Sequence, residues 1–205
     1  VDNELINTQL IGKFNAYNLL TVLSASKLLN LESKKILVGL SMLKNPDGRF
    51  DVVQMNKIIG IVDYAHTPDA LLNVLETISD IKNNENSIIT VVGCGGGRDK
   101  DKRFKMGRIA SKYSNKVIFT SDNPRDEDPK LIIDDMILGV DDEDKKKVIN
   151  IVDRKKAIER ASKIVKPNDI LLVAGKGHEN YQIIKSKKIE FNDKNILKET
   201  LKMAV

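Results

Sequence analysis

The chain has 205 residues, a net charge of +5, 41% hydrophobic and 31% charged residues, the proportions of a globular protein with one sizeable core. Its 34 basic residues are interleaved with 29 acidic ones and only 4% of residues are aromatic. Stacking platforms for single-stranded nucleic acid are therefore missing, and no nucleic-acid partner is expected; no apolar run approaches the roughly 18 residues of a membrane span, so no membrane partner is expected either.

The first segment, VDNELINTQL, has no basic-then-apolar signal pattern. Its opening residue is Val1, which reads as a piece of a longer protein. Residues Asn15 to Leu29 form an apolar helix. Asn45-Pro46-Asp47-Gly48 is a strong turn signal, and a domain boundary is placed there, between residues 1–45 and 46–205. Five apolar runs follow, IIGIV, IITVV, VIF, VINIV and ILLVA, starting at 58, 88, 117, 148 and 170. They are rich in isoleucine and valine and do not alternate with polar residues, as in strands buried on both faces of a parallel sheet.

Helical patterns fill most of the gaps. Thr67-Pro68-Asp69 opens one, with Leu71, Val74, Leu75, Ile78 and Ile81 as its apolar stripe. Lys102 to Tyr113 is a second. Asp128-Pro129 opens a third, with Ile132, Ile133, Met136, Ile137 and Val140 inward. DDEDKKK at 141–147 reads as a polar loop, and Asp153 opens a helix carrying Ala157, Ile158, Ala161 and Ile164. Tyr181 to Ile189 reads as a hairpin turning at Lys185-Ser186-Lys187, and a last helix starts near Asp193. The predicted fold is α/β: a three-layer, Rossmann-like domain with a mostly parallel sheet, preceded by a helical segment.

Three unusual loops directly follow apolar runs: Gly93-Cys94-Gly95-Gly96-Gly97-Arg98-Asp99, Ser121-Asp122-Asn123-Pro124-Arg125 and Gly175-Lys176-Gly177-His178-Glu179. In open parallel sheets, ligands bind at the carboxyl ends of the strands, so all three would open on one edge. Arg98 and Arg125 can fork a carboxylate, Asn123 offers an amide, and Glu179 can hold an ammonium. Gly175 lets backbone approach the ligand. The set suits a zwitterion. Any one of these loops alone is more often structural; three on one edge favour a binding site. Asp126 and Glu127 read as solvated. His66, in Asp63-Tyr64-Ala65-His66-Thr67-Pro68-Asp69, lies where a strand meets a helix N-terminus, a place that favours anions.

No G-x-x-x-x-G-K-[ST] phosphate loop is present, and Cys94 with two histidines has no zinc spacing, so no metal site is expected. A lone cysteine forms no internal disulfide, and a cytoplasmic location fits best. On the residues alone, a binding module without catalysis stays open.

DYAHTPDAL, GCGGGRDKDKR, TSDNPR and AGKGHENYQ, in this order, resemble the Mur ligase family. Gly12-Lys13-Phe14-Asn15-Ala16-Tyr17-Asn18 resembles the end of that family's central domain, so the resemblance covers nearly the whole chain but only the C-terminal portion of such an enzyme. It implies an ATP- and Mg2+-dependent amide ligation in peptidoglycan precursor synthesis. ATP phosphorylates a carboxylate of a UDP-N-acetylmuramoyl-dipeptide, and an incoming amine attacks the acyl phosphate.

By resemblance, Arg98, Asn123, Arg125, Gly175 and Glu179 bind the incoming amino acid. Arg49, Asp63, His66 and Asn18 belong to motifs of the nucleotide site. The DNPR form resembles the subgroup that adds meso-diaminopimelate, whose distal carboxylate Arg125 would grip; lysine has none. Lysine- or glutamate-adding relatives are the alternative. Gly97 and Phe104 stand where the family more often has Asp and Pro. Catalytic residues lie mainly in domains that this chain lacks, and residues 1–205 alone are expected not to ligate.

Overall fold

In a computed structural model that describes residues 6–203, the chain forms two compact units, one ending at Pro46 and the other starting at Asp47. In the first, α1 (Lys13–Leu28) and α2 (Ser33–Ser41) bury Leu19, Leu23 and Leu40 against each other. Helix α2 was not read from the sequence.

The second unit holds β1 (Asp51–Met55), β2 (Ile58–Asp63), α3 (Pro68–Ile81), β3 (Ile88–Val92), α4 (Asp101–Tyr113), β4 (Lys116–Phe119) and α5 (Pro129–Ile137). These are followed by β5 (Val148–Asn150), α6 (Arg154–Ile164), β6 (Ile170–Ala174), the hairpin β7 (Tyr181–Ile184) and β8 (Lys187–Glu190), and α7 (Asp193–Met203). The main sheet has the order β1-β2-β6-β3-β4-β5. Strands β2 to β6 are parallel, and β1 is an antiparallel edge strand.

The expected α/β architecture is what forms, and its causes are local. Thr67 caps α3 by accepting a hydrogen bond from Ala70 N (3.3 Å), with Pro68 in the first turn. Asp128 and Asp153 cap α5 and α6 in the same way, through Lys130 N and Lys156 N. Leu71, Leu75 and Ile78 on α3 are fully enclosed, although Ile81 at its end is 47% exposed. Residues 142–147 wind into a short 3-10 helix, where a plain loop was expected.

The alternation of side chains along each strand sorts the core into two faces. Val62, Val91, Ile118, Leu171 and Val173 pack with Ala157, Ile158, Ala161, Leu197 and Leu201 of α6 and α7. Their neighbours Ile61, Val92, Val117 and Leu172, also at 0% exposure, face the side where α3, α4 and α5 pack together. Each such side chain contributes roughly 1.5–3 kcal/mol on leaving water. The chain winds outward through β3, β4 and β5, then returns to insert β6 between β2 and β3. That reversal opens a crevice at the carboxyl ends of the strands.

Candidate functional site

Register brings the loops to one level. Asp63, Ala174 and Val92 are cross-strand partners at the ends of β2, β6 and β3, and Val92 partners Phe119 at the end of β4. The loop after β6 is therefore central, flanked by those after β2 and β3. Together they enclose a cavity of about 570 Å³. Of the residues singled out above, Arg98, Asn123, Arg125, Gly175, Glu179 and His66 line it.

The floor is a buried polar network. Lys176 Nζ donates to Glu179 Oε2 (2.9 Å), Asn123 Oδ1 (3.0 Å) and Asp122 Oδ1 (3.4 Å). Asn123 Nδ2 donates to the same Glu179 oxygen (3.0 Å), and Asn123 Oδ1 also accepts from Ile183 N (2.9 Å). Asn123 is thus a connector between three segments. Burial pushes the Glu179 carboxyl up, but the hydrogen bonds from Lys176 and Asn123 and the lysine's charge outweigh it and hold the group below the usual glutamate range.

Arg125 has φ 53°, in the left-handed region that a non-glycine residue rarely adopts. Hairpin β7–β8 holds it there. Arg125 N donates to Ile183 O (3.1 Å), and Lys185 N donates to Arg125 O (2.7 Å). Gln182 Nε2 reaches back to Asp122 O (2.6 Å). The guanidinium is fixed by one nitrogen, Nη1 donating to Gly96 O (2.8 Å) and Asn123 O (3.3 Å). One edge of the fork is anchored, and its other nitrogens make no hydrogen bond among the described residues. Gly175 has φ 117°, a conformation that favours glycine, and a Cβ there would lie 2.9 Å from Asp122 Oδ2 and push that carboxylate aside.

Glu127 is not solvated as expected. Its carboxylate receives Arg103 Nη2 (2.9 and 3.0 Å) and Gly97 N. The Gly97 N–H first, with Arg103, holds the group below the usual glutamate range against the upward push of burial. Glu127 thereby ties the loop after β4 to the loop after β3. Arg98 projects from that loop, exposed and without a hydrogen bond or ion pair among the described residues. Cys94 lies beneath the loop, 3.6 Å from Met106 Sδ, and burial pushes its thiol up to about 12, which makes it a packing group rather than a nucleophile.

The remaining candidates are placed differently. Asp63 is buried and does not line the cavity. Its two oxygens accept Phe50 N and Ala65 N, both at 2.7 Å. Arg49 is exposed and stacks over Tyr64, 4.6 Å from the ring centroid. His66 meets the same ring edge-on at 4.6 Å. Asn18 lies in the first unit, exposed, donating to Asn15 Oδ1 (3.3 Å). Sequence reasoning missed Lys176 and Asp122 as members of the floor, although both stand inside motifs it had singled out. The cavity carries Arg98, Lys102 and Arg125 on its walls, with Asp122 and Glu179 below. Cations and acids lining one cavity suit an amino acid.

Residues 48–177 match the family model described as Mur ligase, glutamate ligase domain. A UDP-N-acetylmuramoyl-L-alanyl-D-glutamate--2,6-diaminopimelate ligase of Bacteroides fragilis is 51% identical over 205 residues, covering 100% of this chain and 42% of that protein. A ligase of the same name from Aquifex aeolicus is 46% identical over 195 residues, 95% of this chain and 39% of that one. A solved structure carrying that ligase name aligns with TM-score 0.74 and 37% identity over 97% of this chain and 40% of its own. A folylpolyglutamate synthase from Mycobacterium tuberculosis, at 17% identity and TM-score 0.64 over 83% of this chain and 39% of its own, shares the fold. The chain spans about two fifths of the length of the curated relatives named here. With more than half of its residues matched by that model and its motifs gathered on one cavity, the chain belongs to the Mur ligase family.

Proposed function

We propose that this chain is the C-terminal, amino-acid-receiving part of a UDP-N-acetylmuramoyl-L-alanyl-D-glutamate--2,6-diaminopimelate ligase, a cytoplasmic enzyme of peptidoglycan precursor synthesis. The observation that carries the reading is the pairing of a half-anchored arginine fork with a half-buried, ionised glutamate across one cavity. Glu179 takes an ammonium of meso-diaminopimelate. Arg125, held by Nη1, presents its free edge to the distal carboxylate, and Arg98 serves a second carboxylate. Asn123 works chiefly by joining the two ends of the pocket, and Gly175 by its bare backbone.

ATP, when bound, supplies the phosphoryl group that activates the dipeptide's carboxylate. Arg49, His66 and Asn18 are the groups proposed to meet the nucleotide. Asp63 acts by fixing the backbone beside Arg49 and His66, since its oxygens already hold Phe50 N and Ala65 N. Among the described residues, no three His, Cys, Asp or Glu side chains gather to hold a metal ion. We assign the Mg2+ of the reaction to the nucleotide's phosphates, and the first unit to the end of the central domain. The UDP-N-acetylmuramoyl-dipeptide is likewise met elsewhere.

The test is substrate discrimination in the complete ligase. Arg125→Ala should lower kcat/KM for meso-diaminopimelate by roughly 30-fold or more, the size of losing one partner of a buried charge pair. It should change the poor rate with lysine little. An equal loss with both substrates would sink the assignment of Arg125 to the distal carboxylate.

A further inference from the structure

Lys176 is at the centre of the pocket without being part of its surface. Its side chain is at 0% exposure, and it does not line the cavity. An ammonium has three donors, and all three are used, on Glu179, Asn123 and Asp122. The partners come from two loops, those after β6 and β4. Lys176 adds a charged link to what else joins these loops: the Asn123–Glu179 bond, the Arg154 bonds to Ser121 O and Ala174 O, and the hairpin's bonds to Asp122 and Asn123.

Charge makes the same point. The groups facing Lys176 and Glu179 are Asp122 from the loop after β4, His178 from their own loop, Tyr181 from β7, and Arg154 on α6 with Asp193 on α7. Arg98, Asp99, Lys102, Arg125 and His66 stand on the cavity walls. Arg154 and Asp193 neutralise each other at 2.7 Å. What remains in the floor is two carboxylates and one ammonium, a single net negative charge. That balance matches one ligand ammonium. Take the lysine away, and two acids that shared one nitrogen lose the charge and the hydrogen bonds that fix them.

We propose that Lys176 is a positioning residue for the incoming amino acid: it orients Glu179 and Asn123 and sets the floor at one net negative charge. This rests on the reading of the cavity as the amino-acid site. Lys176 acts through its neighbours and touches neither ligand nor nucleotide.

The experiment is steady-state kinetics of the complete ligase carrying Lys176→Met or Lys176→Gln, each substrate varied in turn. Glutamine keeps two N–H donors without the charge and serves if the methionine variant does not fold. The expected result is a rise in KM for meso-diaminopimelate of roughly 10- to 100-fold, by analogy with the loss of hydrogen-bond partners that orient metal-ligating side chains. KM for ATP and for the UDP-dipeptide should stay near wild type. An unchanged KM for the amino acid, or all three KM values rising together, overturns the proposal. Failure of the underlying reading looks different: the wild-type enzyme itself would not ligate diaminopimelate.

Discussion

Two arginines are withdrawn from solvent on opposite faces of the sheet, and they hold the site in different ways. Arg154, on α6, forms a two-point pair with Asp193 on α7 (2.8 and 2.7 Å), and both side chains are at 0% exposure. It also donates to Ala174 O (2.9 Å) and Ser121 O (3.5 Å), the backbone that starts the β6 loop and the β4 loop. Arg103, on α4, is as deeply buried, but its carboxylates are not: Glu127 is 28% and Asp135 39% exposed. Its Nε has no partner among the described residues. One arginine is sealed into the scaffold. The other is a tie whose acidic ends water can reach, and it governs the loop that carries Arg98.

Breaking the sealed pair should have the largest effect. Asp193→Ala leaves a guanidinium buried with only backbone carbonyls, and a broken buried pair costs about 3–5 kcal/mol. A urea titration of the chain should show the transition of the larger unit shifted accordingly. The double variant Arg154→Met/Asp193→Leu should recover much of the loss, because no charge is left stranded. A double variant as unstable as Asp193→Ala would mean that the bonds to Ala174 and Ser121, not the pair, hold the loops.

The exposed tie should break more gently. Glu127→Gln keeps an acceptor for Gly97 N and leaves Asp135 to pair with Arg103, so about 1–2 kcal/mol is expected. Its pH dependence has a definite sign. The folded carboxyl is held below the ordinary glutamate value, by Gly97 N–H and then Arg103. Its contribution is complete above the unfolded pKa and disappears as the pH falls through the lower, folded one. The stability gap between wild type and Glu127→Gln should therefore close on acidification. A constant gap would show that the charge of Glu127 is irrelevant.

The same contrast explains what the sequence could show. Five Ile/Val-rich runs announced the parallel strands, although β5, at the sheet edge, is only partly buried rather than buried on both faces; caps such as Asp128 and Asp153 announced the helices, because burial and local hydrogen bonding leave local marks. Strand β1 left none: DVVQM buries only Val53 deeply and owes its existence to pairing with β2 at the sheet edge. In the site, the three loops were legible because each follows a strand. Lys176 was not, since its meaning comes from Asn123 and Asp122, more than 50 residues earlier in the chain. Glu127 read as solvated because Arg103 reaches its loop from α4, 24 residues earlier in the chain. The docking of the hairpin onto Arg125 was equally invisible.

That docking offers a smaller test. Arg125 pays for its φ of 53° with backbone strain, and bonds to Ile183 and Lys185 oppose it. Arg125→Gly and Arg125→Ala both remove the fork, but only glycine removes the strain. The glycine variant should be the more stable of the two by about 1 kcal/mol, while both lose diaminopimelate affinity equally. Equal stabilities would place the strain elsewhere or show that the loop relaxes.

The smallest effect on the fold should come from Arg98, at the loosely held end of the comparison. It is exposed and makes no hydrogen bond or ion pair among the described residues, so Arg98→Ala should change stability by no more than about 0.5 kcal/mol. It nevertheless lines the same cavity as Glu179 and Arg125. A side chain that the fold does not need, kept charged beside an acidic floor, has its reason in the ligand. In the complete ligase, Arg98→Ala should raise KM for meso-diaminopimelate while the urea midpoint stays at the wild-type value. If KM is unmoved as well, the cavity reads its amino acid through Arg125 and Glu179 alone, and the loop after β3 is only a wall.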